Sequence, residues 1–242
     1  MSLETAETLS PIDCSAELLA AYRTGGDPTP FLTRLGEYDD EALGPLRTDR
    51  NAALAFWSNL YNAGTQGLLD THPGLYEGVL RSLRFFSIPA VRVAGHRLSL
   101  DDIEHGLLRG RSKYGLGYLP RVLPDTFEMR YRLDSVDPRI HFALNCGAES
   151  CPAIRAYTLD AIDDQLDMAT RAYLDATVRY DPDTDRVRVP RVMGWYRSDF
   201  GGKRGIRTFL QEYDAIPVGA SPEISFLSWD WTKAARRFAD EH

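Results

Sequence analysis

The stretch IHFALNCGAESCP, residues 140–152, carries two of the chain's three cysteines, Cys146 and Cys151, on either side of a glycine and a glutamate. Such residue types, so closely spaced, suit a thiol nucleophile, a metal site or a disulfide. Residues 139–146 read as a buried strand. Alternation along it sends His141, Ala143 and Asn145 to one face and Phe142, Leu144 and Cys146 to the other. Cys146 then stands at a strand end, just before Gly147 turns the chain, where a rigid sheet can hold a reactive group. Pro152 suits the first turn of a helix, which makes Cys151 its cap. A thiol there feels the positive end of the helix dipole and gives up its proton more readily. Simple packing fits both residues too, since free cysteine is among the most buried residue types.

A thiol nucleophile needs a base, and the base needs a group to orient it. Of the histidines inside the chain, His72 precedes Pro73 at a helix end and His96 lies in a hairpin turn, which leaves His105 and His141. His105 follows Glu104 in LSLDDIEHGLLR, residues 98–109. The apolar stripe of that segment is Leu100, Ile103, Leu107 and Leu108, and Glu104 falls inside it. A carboxylate facing a core must be neutralised, paired or functional. An arginine can pair with it, or it can orient a histidine or act as a general base.

The elements that must position these groups are mostly helical. The pattern predicts a helix from Ser15 to Arg23 stopped by Gly25, a short helix over residues 29–36, and a long helix capped by Thr48 and running to about Leu69. From Asn51 to Leu69 the long helix has no charged residue, and Asn59, Asn62 and Gln66 form a stripe of amides along it. An uncharged polar stripe marks a buried helix, whose amides must either tie down loop backbone or touch a ligand. Residues 90–98 read as a hairpin turning near Gly95. Ser99 and Asp102 form a capping box for a helix through Arg109, stopped by Gly110. Thr158 caps a helix through about Asp175, with Leu159, Ile162, Leu166, Ala169 and Tyr173 inward. Residues 178–180 and 186–189 pair across DPDTD, and Ile206, Phe209, Leu210 and Tyr213 mark another helix. The tail FLSWDWTKAARRF reads as a short strand or loop followed by a final helix. Helices outnumber strands, and the strands come as hairpins. The expected fold is α+β, with helices packed around a small, largely antiparallel sheet. One domain is expected over residues 1–242, with an N-terminal helical extension over residues 1–47.

Composition narrows the function. A chain of 242 residues has room for a sizeable core. Its net charge of -7 argues against nucleic acid as a partner. No stretch is long and apolar enough to span a membrane, so no membrane partner is expected. Neither G-x-x-x-x-G-K-[ST] nor G-x-G-x-x-G occurs, and no cofactor is expected. The start MSLETAETLS lacks the basic and apolar runs of a signal peptide, so a cytoplasmic location is expected. In a reducing compartment close cysteines are metal-binding, catalytic or buried rather than disulfide-bonded. His105 with His141, Cys146 and Cys151 would make a zinc set, but there is no C-x-x-C or H-E-x-x-H, and strand alternation points His141 away from Cys146. No metal site is therefore assigned.

Five segments occur in order: AFWSNLYNA (55–63), LSLDDIEHGLLR (98–109), DPRIHFALNCGAESCP (137–152), GWYRSDF (194–200) and FLSWDW (226–231). Together they resemble the family known as domain of unknown function 547, over about residues 50–232. The family's recurrent residues match Asn59, Asn62, Glu104, His105, His141, Asn145, Cys146, Ser150 and Cys151, and also Trp195, Tyr196 and Asp199. The resemblance implies no settled activity. The residues themselves point to a thiol-dependent hydrolase or acyl transferase. In that reading Cys146 is the nucleophile, His105 the base, and Glu104 or Asn62 the orienting group, with backbone N–H groups after Cys146 offered to an oxyanion. The sequence leaves open Cys151 in place of Cys146 and His141 in place of His105. Asn59, His141, Asn145, Cys151, Trp195 and Tyr196 are expected to line the binding region for a small-molecule or peptide substrate. The fold class suits a remote relative of papain-like or transglutaminase-like enzymes, although here the histidine precedes the cysteine. The rival is a non-catalytic interaction module in which the same residues form a buried polar network. A zinc-stabilised domain is the third reading.

Overall fold

The uncharged run after Asp49 forms the helix Arg50–Thr71, and every residue from Ala52 to Gln66 in it is buried. The computed structural model describes residues 8–76, 84–113 and 115–239. Asp49, rather than Thr48, caps this central helix: its Oδ1 accepts from the N–H groups of Asn51 at 2.8 Å and Ala52 at 3.2 Å. The helix Pro11–Thr24 packs against it. Ser10 caps that helix, because Pro11 takes the first helical position. Ser15 instead turns inward, and its Oγ receives the Asn59 amide at 3.3 Å. Gly25 closes the helix at φ 72°, and the helix Thr29–Glu37 follows.

Two small sheets complete an α+β fold. Strands β1 (Pro89–Val93) and β2 (His96–Ser99) make an antiparallel hairpin. Strands β3 (Arg179–Asp181) and β4 (Arg186–Val189) are antiparallel, and β5 (Glu223–Phe226) joins β4 in parallel. One core surrounds the central helix. A second lies between Val187, Val189 and Ile224 of this sheet and Ile206, Phe209 and Leu210 of the helix Gly202–Glu212. Trp229 packs on both cores, and the tight turn Pro138–Phe142 joins them, sending Ile140 into the first and Phe142 into the second.

That turn replaces the expected strand over residues 139–146. Asp137 starts it, accepting the Arg139 N–H at 3.0 Å, and the N–H of Ala143 closes on the Ile140 carbonyl at 2.9 Å. Among the described residues no strand lies alongside. The backbone beyond it finds its partners on the central helix, where Asn62 accepts the Asn145 N–H at 2.8 Å and donates to the Ala143 carbonyl at 3.1 Å.

Three helix expectations also fail. No helix starts at Pro152: the Cys151 N–H folds back to the Ala148 carbonyl at 3.0 Å. Thr158 does not cap, because the helix there starts only at Ile162 and runs to Thr177; its N–H is held by Gln165 Oε1 at 2.9 Å, and Leu159 is 39% exposed. The tail through residue 239 is not a helix, since it lies extended against residues 147–154. Glu149 N–H bonds the Thr232 carbonyl at 2.8 Å, Ala234 N–H bonds Gly147 at 2.8 Å, and Ile154 N–H bonds Arg237 at 2.7 Å. Among the described residues no helix is long and apolar enough to cross a membrane.

Candidate active site

The capping box forms as expected: Ser99 Oγ donates to Asp102 at 2.6 Å and accepts the Asp102 N–H at 3.2 Å. The helix it opens, Asp102–Leu108, is wound wide, with the Arg109 N–H reaching back five residues to Glu104 at 3.1 Å. Single wide turns of this kind often occur at functional sites. Glu104, His105 and Arg109 all come to lie buried.

Arg109 organises this cluster. Its Nη1 is 2.8 Å from His105 Nδ1. A guanidinium only donates, so Nδ1 accepts and the ring proton sits on Nε2, which faces Asp101 Oδ1 at 3.6 Å. Burial pushes His105 below its ordinary pKa, against the pull of Glu104. The other edge of Arg109 grips Asp199, with Nε at 2.6 Å and Nη2 at 3.2 Å. Asp199 also meets His141 Nε2 at 2.9 Å. Burial would raise the Asp199 carboxyl, but His141 and Arg109 outweigh it and hold it well below the usual range. A charged Asp199 only accepts, so His141 donates from Nε2 and turns Nδ1 away from Asp199. Tyr196 stacks on His141 at 4.2 Å and 7°, and carries the Arg109 guanidinium 4.5 Å from its centroid. Burial likewise pushes Glu104 up, but His105, the Tyr196 phenol, Arg109 and His141 bring it below its ordinary value. Glu104 is thus a buried, charged carboxylate.

The cysteine loop is built by Asn145, whose Nδ2 donates to the Pro152 carbonyl at 2.7 Å while its Oδ1 accepts the Gly147 N–H at 2.8 Å. Gly147 turns at φ 87°, and a Cβ there would meet Leu69 at 2.9 Å, so only glycine fits. The loop brings the two free thiols together, Sγ to Sγ 2.9 Å, with the Cys146 N–H aimed at the Cys151 sulfur at 3.2 Å. Hydrogen bonding to Cys151, then burial, push the Cys146 thiol up. Burial also acts to raise Cys151, but the Cys146 thiol and the backbone N–H groups of Ala148, Cys146 and Gly147 outweigh it and bring it below the ordinary value. The two shifts are opposite in direction, so of the pair Cys151 gives up its proton the more readily. Cys146 is half-buried and Cys151 is buried. The third thiol, Cys14, is buried elsewhere and pushed up to about 11 by burial.

A cavity of about 970 Å³ joins these groups: Glu104, His105, His141, Cys146, Cys151 and Tyr196 all line it. Its far wall is a cluster of Trp195, Trp229 and Trp231, with ring centroids 5.1–6.0 Å apart. Of the expected site residues, Asn59, Asn62 and Asn145 stand behind the cavity and hold backbone. Asn59 pairs both ways with Tyr157, at 2.8 Å each. Gln66 accepts the Arg236 N–H at 2.8 Å, and Ser150 Oγ accepts the Asp230 N–H at 2.8 Å. The amide stripe therefore ties down loops. The tight turn also removes the separation that a strand would impose on His141 and Cys146, since both reach the cavity. Among the described residues no group of three or more His, Cys, Asp or Glu side chains could hold a metal ion. Sequence reasoning passed over Arg109, Tyr61 and Tyr76. Arg109 had a signal, since it follows His105 by four residues along one helix. The two tyrosines looked like ordinary core residues.

A family model described as "Protein of unknown function, DUF547" matches residues 45–174, which is more than half of the chain. No curated protein and no solved structure matches the chain. The segments GWYRSDF and FLSWDW lie beyond the matched residues, yet they supply Trp195, Tyr196, Trp229 and Trp231 to the same cavity.

Proposed function

The chain belongs to the DUF547 family, whose description carries no activity, and we propose from the chemistry of its own cavity that it is a thiol-dependent hydrolase or acyl transferase. One observation carries this reading: two hydrogen-bonded cysteine sulfurs 2.9 Å apart, on a cavity lined also by the buried carboxylate of Glu104 and two fixed histidines. Cys146 is the nucleophile, because it is the more exposed residue of the pair. As its sulfur bonds to a carbonyl carbon, its proton passes to Cys151. Collapse of the adduct expels the leaving group, which takes the proton back from Cys151 and leaves a thioester on Cys146. Water, or an acceptor in the transfer case, then attacks the thioester and gives its proton to His141 Nδ1, with Asp199 holding the ring from Nε2; collapse of this second adduct breaks the C–S bond, releases the acid or the transfer product, and returns the proton from His141 to the Cys146 sulfur. His105 has its Nδ1 filled by Arg109, and its role is that of a fixed Nε2–H donor rather than the base. Asn62 orients the cysteine loop through the Asn145 N–H, not a histidine. The Cys146 N–H serves the Cys151 sulfur and the Gly147 N–H serves Asn145. Oxyanion donors must therefore come from elsewhere. Trp229 Nε1, buried with no hydrogen-bond partner among the described residues, and the buried Tyr76 hydroxyl, which faces Cys146, both belong to cavity-lining residues.

The test is alkylation of Cys14, Cys146 and Cys151 as a function of pH, read peptide by peptide in the folded protein. It is paired with a panel of activated esters and thioesters searched by mass for an acyl adduct on Cys146. The Cys146–Cys151 pair should react well below the ordinary thiol pKa of about 8.5 while Cys14 stays silent. If all three thiols stay inert until unfolding and no adduct forms, the reading is wrong. A second reading, a non-catalytic interaction module, has one observation behind it: Leu116, Tyr118, Leu119, Val122 and Leu123 are exposed along a single segment. On that reading the folded thiols are inert.

A further inference from the structure

We propose that Cys146 and Cys151 form a reversible dithiol–disulfide centre that hydroperoxides oxidise, and that its oxidation switches off the thiol chemistry of the cavity. The switching half of this inference rests on the function proposed above; the oxidation itself does not. Four observations carry it. The sulfurs face each other at 2.9 Å, so a bond of about 2.05 Å needs only a small movement of two side chains. The loop between them is fixed at both ends by Asn145, which keeps the sulfurs in place before any oxidant arrives. The cavity of about 970 Å³ reaches both sulfurs, so a small oxidant has a path. Cys151 also lines a second cavity of about 310 Å³, which gives it room on its other side. Cys14 supplies a built-in contrast, being buried and hydrogen-bonded through its thiol to the Phe31 carbonyl at 3.6 Å.

The steps balance. The Cys146 sulfur attacks one peroxide oxygen while its proton moves to Cys151. An S–O bond forms, the O–O bond breaks, and hydroxide or alkoxide leaves and is protonated by water. Cys146 is then a sulfenic acid. The Cys151 sulfur attacks it, the S–S bond forms, and the S–O bond breaks. Water leaves with the Cys151 proton. Two thiols have lost two electrons and one hydroperoxide has gained them. A small dithiol reverses the bond by exchange through a mixed disulfide, and is itself oxidised to a disulfide.

The full chain is treated with hydrogen peroxide at low molar excess, quenched in acid, and read by intact mass and by a non-reducing peptide map. The expected result is loss of two hydrogens, a cross-link joining the peptides of Cys146 and Cys151, a reduced Cys14, and full reversal by dithiothreitol. In Cys151→Ser the cross-link is absent and Cys146 is trapped as a sulfenic acid by dimedone. An unchanged mass, oxygen addition without a cross-link, or a cross-link through Cys14 overturns the proposal. The two readings separate cleanly. A protein that acylates at Cys146 but never cross-links refutes the redox centre alone. A protein that cross-links but never acylates refutes the hydrolase alone, leaves the redox centre and removes its switching role. Where both hold, oxidation abolishes acylation and dithiothreitol restores it.

Discussion

Asn62→Ala tests whether the buried amides build the site. The Asn62 side chain is fully buried and satisfies two backbone groups of the cysteine segment, the Asn145 N–H at 2.8 Å and the Ala143 carbonyl at 3.1 Å. Alanine leaves both groups buried without a partner. Each such loss costs about 1–3 kcal/mol, and the better helix propensity of alanine returns roughly 0.5 kcal/mol, so a net loss of about 2–5 kcal/mol is expected. The same helix offers a control at Ser58, which is equally buried and whose Oγ has no hydrogen-bond partner among the described residues. Ser58→Ala abandons no partner and should change stability by less than about 0.5 kcal/mol, or increase it. Equilibrium unfolding in urea measures both variants against the parent. Loosening the Asn145 backbone should also spread the backbone N–H groups away from Cys151, so its alkylation should move to higher pH in Asn62→Ala. If Asn62→Ala costs no more than Ser58→Ala, the amide does not hold the loop and the account of the site fails at its base.

Asp199→Asn leaves the fully buried Arg109 guanidinium without its carboxylate, and removing one partner of such a pair should cost about 3–5 kcal/mol in unfolding experiments. Because the folded Asp199 carboxyl lies below its unfolded value, its contribution is complete above about pH 5 and fades as pH falls through the folded value; Asp199→Asn should lose that acid-side slope. Gly117 turns at φ +76°, and a Cβ there would sit 2.5 Å from Ser198 Oγ and 2.6 Å from Arg109 Nη2. Gly117→Ala should cost at least the roughly 1–2 kcal/mol of a left-handed residue, and should weaken acylation by displacing Arg109, read as a lower Tm and a slower adduct. His105 has the same sign as Asp199 in a higher pH window: its folded pKa lies below the unfolded value of about 6.5, so the unfolded chain binds the proton first and stability falls as pH drops below that point. His105→Asn should remove up to about 1.4 kcal/mol per pH unit of that slope, measured as unfolding midpoints between mildly acid and neutral pH.

What was legible in the sequence was local. The central helix announced itself by its uncharged run, the capping box by Ser99 and Asp102, and the hairpins by their turns, because each signal and its structural partner lie within a few residues. Glu104 was legible as an anomaly, since a carboxylate in an apolar stripe needs company, and the structure supplies it. The company itself was not legible: Asp199 lies 90 residues from Arg109 and 58 from His141.

The misread strand and the amide stripe have a common cause. Alternation over residues 139–146 suggests a strand only if a neighbouring strand takes its backbone groups. Among the described residues no such neighbour lies there; Asn62, 83 residues upstream of Asn145, takes that place with a side chain. A side-chain amide satisfies one N–H and one carbonyl and then stops, whereas a strand partner would continue the ladder and hold the segment straight. Freed from a ladder, the chain turns tightly at Pro138–Phe142 and again at Gly147, and the second turn brings Cys151 back to Cys146. An extended segment would have carried Cys146 away from Cys151 by about 3.3 Å per residue. The buried amides are thus the reason the two sulfurs meet, and any chemistry of the thiol pair depends on side chains that stand behind the cavity rather than in it.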